Sequence, residues 1–311
     1  MSVDRTYFED GRIELTHYGS AAWKITDGKH TVLLDPYFTR LRYSGNRFGM
    51  LPANAAPGDE RPAYSFDEIV PSDAETIDRH IHEATHILLS HAHFNHCMDM
   101  PHIAKKTGAH VVGSYSATNI ARAYGVAEPQ LVPVRGGEDY DFGELSIRVI
   151  PSLHSALCDK CYFDAGIVPE GLQGPLPLKA FSEGGTFGYL VRFRHHEILM
   201  FGSMNYIERE VQGLTPSIVL VPSARPRLQI FRYTERLLRA TGLPKVVVRS
   251  ALGRADLPLR RGPEQRAGAR RDLPERGAPG GTRGGAGAAP AFRDLLGAAG
   301  RPGGPALTVS R

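Results

Sequence analysis

Three histidines fall within six residues at His91-Ala92-His93-Phe94-Asn95-His96, directly after the apolar run Thr85 to Ser90. Neutral imidazole is a good donor for divalent transition ions, and three such donors leave a fourth position open for water or substrate. His91 and His93 stand two apart in what reads as extended chain, so both project to one side. Asn95 and His96 can turn toward an adjacent point as the chain bends into a helix. The pattern predicts a metal centre at a strand-to-helix junction.

Other residues invite chemical readings and are weaker. Cys158-Asp159-Lys160-Cys161 has the spacing of half a zinc ribbon but no second pair follows, so a loop is the better expectation. Cys97 reads as a small buried side chain at a helix start, and His195-His196 as an exposed turn. Gly184-Gly185 is read as a loop that lets backbone approach a pocket or simply turns the chain. His17, beside Tyr18-Gly19-Ser20 at a hairpin end, is a candidate for the rim of the site.

The elements that must position these groups show in the apolar pattern. Arg12 to Thr16, Ala21 to Thr26 and His30 to Asp35 read as an opening meander, with Asp27-Gly28 as a hairpin turn. Residues Pro36 to Val70 lack periodicity and read as a long loop or insertion, outside the core. Ser72 and Glu75 form a capping box before a helix from Ala74 to His82. Asp99 and Pro101 open a helix ending near Gly108, and another helix is expected over Ser116 to Tyr124. Strands are expected at Ala109 to Gly113, Leu131 to Val134, Leu145 to Pro151, Phe187 to Arg194, Glu197 to Phe201 and Ile218 to Pro222. Helices are expected at Tyr206 to Gln212 and Tyr233 to Ala240. A meander followed by alternating strands and helices predicts an α+β protein, an αββα two-sheet sandwich.

Composition bounds the rest. The 311 residues are 41% hydrophobic and 23% charged, which suits a globular chain, and no apolar run is long enough for a membrane span. The N-terminus lacks a secretory pattern and the three cysteines are sparse, so a cytoplasmic protein without a disulfide framework is expected. The formal charge of +4 is uneven: residues 249–311 hold 12 Arg and 5 acids, leaving 25 basic and 28 acidic residues before them. Gly, Ala, Arg and Pro make up 44 of those last 63 residues, so the sequence predicts a domain over 1–248 and a disordered tail over 249–311. The change is abrupt. Were Ala251 to Arg254 encoded GCA CTG GGA CGA, the frame one nucleotide later would read His-Trp-Asp, so a frame-shifted end and a natural low-complexity tail are both open. The tail lacks aromatic residues interleaved with its arginines, which disfavours nucleic acid as a partner. Oligomeric state is not legible.

From Ile13 to Val248 the chain resembles the metallo-β-lactamase fold hydrolases, whose hallmark is His-x-His-x-Asp-His after an apolar strand. Supporting marks are Leu33-Leu34-Asp35-Pro36 closing the opening hairpin, the strand and histidine of Val149-Ile150-Pro151-Ser152-Leu153-His154, and the strand Ile198-Leu199-Met200-Phe201-Gly202. The opening hairpin and Ile103 to Ala109 look most similar to the ascorbate-phosphate lactonase-like branch, which also resembles the phospholipase D-type members acting on N-acyl phospholipids.

Carried over by position, the resemblance implies a first metal site of His91, His93 and His154. It implies a degraded second site. Asn95 stands at the Asp position, Ser203 or Asn205 lies where a bridging Asp belongs, and a final histidine is missing, so His96 alone is unchanged. Asn offers a neutral oxygen in place of a carboxylate, and one tightly held ion is therefore expected, with the second weak or absent. Zinc is the expected ion, with Mn2+ or Fe2+ also compatible. Asp35 is expected to orient a metal-bound histidine, or else to cap the turn before Pro36. Asn95 and His96 are placed nearest the reaction; because Asn95 cannot take a proton, the base is His96, a water or a group not identified from sequence. The expected activity is hydrolysis of a small ester, lactone or phosphodiester through a metal-bound hydroxide. The alternative is a non-catalytic or weakly active relative that keeps the fold and one metal to bind a ligand.

Overall fold

The structure, a computed structural model, describes residues 4–8, 13–43, 59–156 and 160–250, the first of these as backbone. Strands β1 (Asp4–Phe8), β2 (Ile13–Gly19), β3 (Ala22–Thr26) and β4 (Thr31–Leu34) form an antiparallel meander. The β3–β4 turn is built as its residues require: Gly28 sits at φ 89°, and the Asp27 carboxylate accepts the Lys29 and His30 N–H groups. Short strands β5 (Arg42–Tyr43) and β6 (Ala63–Tyr64) pair with each other.

Then strand and helix alternate: α1 (Ala74–His80), β7 (His86–Leu88), α2 (Phe94–Cys97), α3 (Met100–Thr107), β8 (His110–Ser114), α4 (Tyr115–Ala123) and β9 (Leu131–Val134). Strands β7, β8 and β9 add in parallel to β4, completing a seven-stranded sheet. The second sheet repeats the plan. Strands β10 (Asp139–Asp141), β11 (Ser146–Pro151), β12 (Phe187–Phe193) and β13 (His196–Phe201) are antiparallel. After α5 (Glu208–Val211), β14 (Ile218–Pro222), α6 (Tyr233–Ala240) and β15 (Val246–Ser250), two parallel pairings complete six strands.

Side-chain alternation assembles the layers. On β13, Ile198 and Met200 enter the core between the sheets while Leu199 and Phe201 pack under the helices. On β4, Val32 and Leu34 face inward and Leu33 faces the other helical layer. Both faces of these strands are covered, so they read as continuous apolar runs with a period of two hidden inside. The result is the expected αββα sandwich.

Three local expectations are corrected. Residues Pro36 to Val70 are not outside the core: Tyr37, Phe38, Leu41 and Phe66 are buried in the helix-side cluster. Buried Asp99 makes this possible by accepting the N–H groups of Phe38 and Thr39 at 2.6 and 2.8 Å, so irregular backbone is satisfied without a sheet. The cap of α1 is Asp73, which accepts from Thr76 N at 3.0 Å, in place of Ser72. Strand β15 passes Val248 and runs through Arg249 and Ser250, which pair with Val221 and Pro222. Ser250 is fully buried and accepts the Trp23 indole N–H at 2.8 Å, tying β15 to β3 across the sandwich. The expected tail beyond Ser250, with its proposed frame shift, lies outside the described residues, as does Cys158.

Candidate metal centre

β7 ends at Leu88, and the chain continues through Ser90 and His91 into α2, so one edge of the first sheet delivers His91, His93 and His96 together. The loop after β11 delivers His154 from the second sheet. Single donor nitrogens of His91, His93 and His154 all lie within 4.8 Å of one another, and all three residues are buried.

Hydrogen bonds select which nitrogen of each ring faces the centre. Ser90 Oγ donates to Asp35 Oδ2 at 2.6 Å, so it accepts from His91 Nδ1 at 2.9 Å and leaves Nε2 as the free donor. That Nε2 is buried without a partner in the protein, a costly state for a polar atom unless something binds it. His154 donates from Nδ1 to Ser155 O at 3.0 Å, again freeing Nε2. His93 donates from Nε2 to Asp164 O at 3.3 Å, which leaves Nδ1. Burial, reinforced by the neighbouring imidazoles, holds His91 and His93 well below the usual histidine range and brings His154 down to about 4. All three rings are therefore neutral near pH 7 and able to coordinate. This donor set fits a divalent ion of zinc's kind.

The remaining expected residues divide. Asp35 touches His96, whose Nδ1 lies 2.9 Å from Oδ2 but out of line for a hydrogen bond, and reaches His91 through Ser90. Its other oxygen accepts Ser90 N at 2.7 Å. Asn95 and His96 both line the cavity at the three histidines. Ser203 also borders it, but its hydroxyl is engaged with Ser155, 2.9 Å from the backbone N and 2.8 Å from Oγ. Asn205 donates to His154 O at 3.3 Å and so braces the metal-side loop from behind. His17 is not among the described residues lining the cavity: its ring stacks on Trp23 at 4.3 Å and its Nε2 lies 3.0 Å from the backbone O of Ser20, which does line it. Ser20 and Ala21 line the cavity in its place.

Sequence reasoning gave no role to Ser90 or to the aromatic residues Tyr37, Tyr43 and Phe163, and named Gly202 only as the end of a strand. A Cβ at Gly202 would overlap Asp35 Oδ2 and Ser90 Oγ, so only glycine lets β13's end pass this carboxylate. Ser90 was open to inference as the residue before the first histidine; the loop near Cys158 to Cys161 was expected beside His154, but the contact of Phe163 and Asp164 with His93, some seventy residues earlier, left no local signal.

Two covered sheets that meet at a three-histidine centre define a metallo-β-lactamase-type domain. The chain matches the beta-lactamase superfamily domain over residues 14–222 and belongs to that family. It is 28% identical over 145 residues to a UPF0173 metal-dependent hydrolase of Pyrobaculum arsenaticum, covering 46% of this chain and 52% of that one. With another from Methylobacterium nodulans the identity is 26% over 211 residues, 68% and 72% of the two chains. The first match thus spans about half of that relative's length. Among solved structures, a metallo hydrolase from Ignicoccus hospitalis aligns over 81% of this chain and 88% of its own, with 17% identity and a TM-score of 0.47. Among the described residues, no helix is long and apolar enough to cross a membrane.

Proposed function

We propose that this chain is a zinc-dependent hydrolase of a small ester, lactone or phosphodiester, working in the cytoplasm with one tightly held metal. The observation that carries the reading is the convergence of three neutral imidazole nitrogens within 4.8 Å, each fixed in its tautomer by a bond behind the ring. A zinc ion bound there would acidify a coordinated water toward pH 7 and polarise the oxygen under attack. The chain's own groups supply the rest. His91, His93 and His154 hold the ion. Asn95 adds a neutral oxygen or amide at the cavity wall and takes no proton. His96 is the cavity-lining imidazole placed to accept a proton, with the Asp35 carboxylate 2.9 Å from its Nδ1. The names of the relatives, metal-dependent hydrolases, support the same reading.

The ligand-binding alternative is favoured by one observation: Ser203 is engaged with Ser155, and no carboxylate lines the described cavity. Assays of neutral esters, lactones and phosphodiesters with purified, chelated and zinc-restored protein separate the two. Turnover that chelation abolishes and zinc restores, with His96→Gln lowering kcat, supports the hydrolase. Stoichiometric zinc with no turnover of any class supports the binding protein.

A further inference from the structure

The walls of the cavity bear on what enters it. One side is aromatic: Tyr37, Tyr43, Phe94 and Phe163 line it. These rings brace one another edge to face, Tyr43 to Phe94 at 5.9 Å and Tyr37 to Phe94 at 6.3 Å, with Phe66 behind at 5.9 Å from Phe94. Phe163 lies 5.0 Å from the His93 ring, so the aromatic wall reaches the metal ligands. Besides the histidines and Asn95, the rest of the described lining is mostly small, with Ala21, Gly202 and Ala224 among it. Among the described lining residues there is no Lys, Arg, Asp or Glu. Arg40, close by on Tyr37, is turned away: its guanidinium donates to the Tyr18 and Gly19 carbonyls at 2.9 and 2.8 Å.

Apart from the metal, then, the described lining offers a substrate's carboxylate or phosphate only side chains such as Ser20, Asn95 and the histidine rings to hydrogen-bond with, and no Lys or Arg to balance its charge, and burying a charge without an opposite one is costly. Aromatic side chains instead reward a flat apolar group, which stacks or packs edge to face. The volume is about 170 Å³. An apolar cavity of roughly 150 Å³ takes up benzene, so one ring with a few added atoms is the right size.

We infer that the site selects a neutral substrate carrying a single aromatic or similarly flat apolar ring beside the scissile ester or lactone bond, and excludes anionic esters and phosphodiesters. This rests on the hydrolase reading for the reaction but not for the pocket, and the test keeps them apart. Phenyl acetate and dihydrocoumarin are compared with 4-acetoxybenzoate and bis(4-nitrophenyl) phosphate in zinc-loaded protein. Binding of benzyl alcohol and benzoate to the chelated protein is followed in parallel by calorimetry or ligand-observed NMR. Expected are a kcat/KM at least about tenfold higher for the neutral compounds and about tenfold weaker binding of benzoate than benzyl alcohol. Phe163→Ala should weaken benzyl alcohol binding, and Ala224→Arg should narrow the gap for benzoate. Equal binding of benzoate and benzyl alcohol, or preferred turnover of the anionic esters, overturns the inference. Selective binding of benzyl alcohol with no turnover of any ester upholds the pocket and counts against the hydrolase.

Discussion

The Asp35 carboxylate reaches His91 through one hydroxyl: Ser90 Oγ donates to Asp35 Oδ2 at 2.6 Å and accepts from His91 Nδ1 at 2.9 Å. This relay holds the ring so that Nε2 is the metal donor, and it lends the imidazole the basicity of a buried carboxylate. Ser90→Ala cuts it while leaving all three metal ligands in place. Metal affinity, measured by competition with a chromogenic chelator, should fall about 10- to 100-fold with the circular dichroism spectrum unchanged. Unaltered affinity would show that Ser90 does no more than fill space.

Gly202 is the steric counterpart of that relay. Because a Cβ there would overlap both Asp35 Oδ2 and Ser90 Oγ, Gly202→Ala must displace the pair or the end of β13. Strain of this kind costs about 1–3 kcal/mol. The variant should melt at a lower temperature and also lose metal affinity. A variant that melts like the wild type and binds metal as tightly would disprove the close approach.

Across the sandwich, Trp23 donates to Ser250 at 2.8 Å in a fully buried setting. Ser250→Ala orphans the indole N–H, for which about 1–3 kcal/mol is the usual cost. Urea unfolding should show that loss. A chain ending at Val248 should be destabilised more, because it also gives up the pairing of Arg249 and Ser250 with β14.

His86 makes the fold sensitive to acid. It is buried against Phe142 and His110, and burial, aided by the nearby His110 and His30, lowers it from 6.5 to about 4. The unfolded chain therefore takes up this proton at a higher pH than the native one does. The stability from a neutral His86 is complete above about pH 6.5 and is lost as pH falls toward 4. His86→Phe should flatten the fall in stability between pH 6.5 and 4 relative to wild type. Parallel profiles would rule His86 out as the acid-sensitive group.

How much of this was legible follows from distance along the chain. The strands from β7 to β14, except β10, were readable because their apolar residues are contiguous or alternate, and the first metal ligands because they lie side by side in sequence; β10, Asp139–Asp141, carries no apolar run and was not expected. Phe38 and Phe66 were left outside the core because what buries them is distant in sequence and follows no local period: Asp99, some sixty residues on, holds the Phe38 backbone, and Phe66 packs on Phe94 and Phe163. His17 was a candidate for the rim because it stands beside Tyr18-Gly19-Ser20 at a hairpin end, and in the structure its ring stacks on Trp23 of the neighbouring strand. Ser250 lay within a composition that no longer looked structured, yet its partner is in β3.

The account's central claim is one metal ion on His91, His93 and His154. Elemental analysis of gel-filtered protein, wild type beside the His91→Ala/His93→Ala double variant, tests it most directly. The account predicts about one equivalent of divalent metal per wild-type chain and almost none in a double variant that keeps the wild-type circular dichroism spectrum. Wild-type metal content in a folded double variant would contradict it.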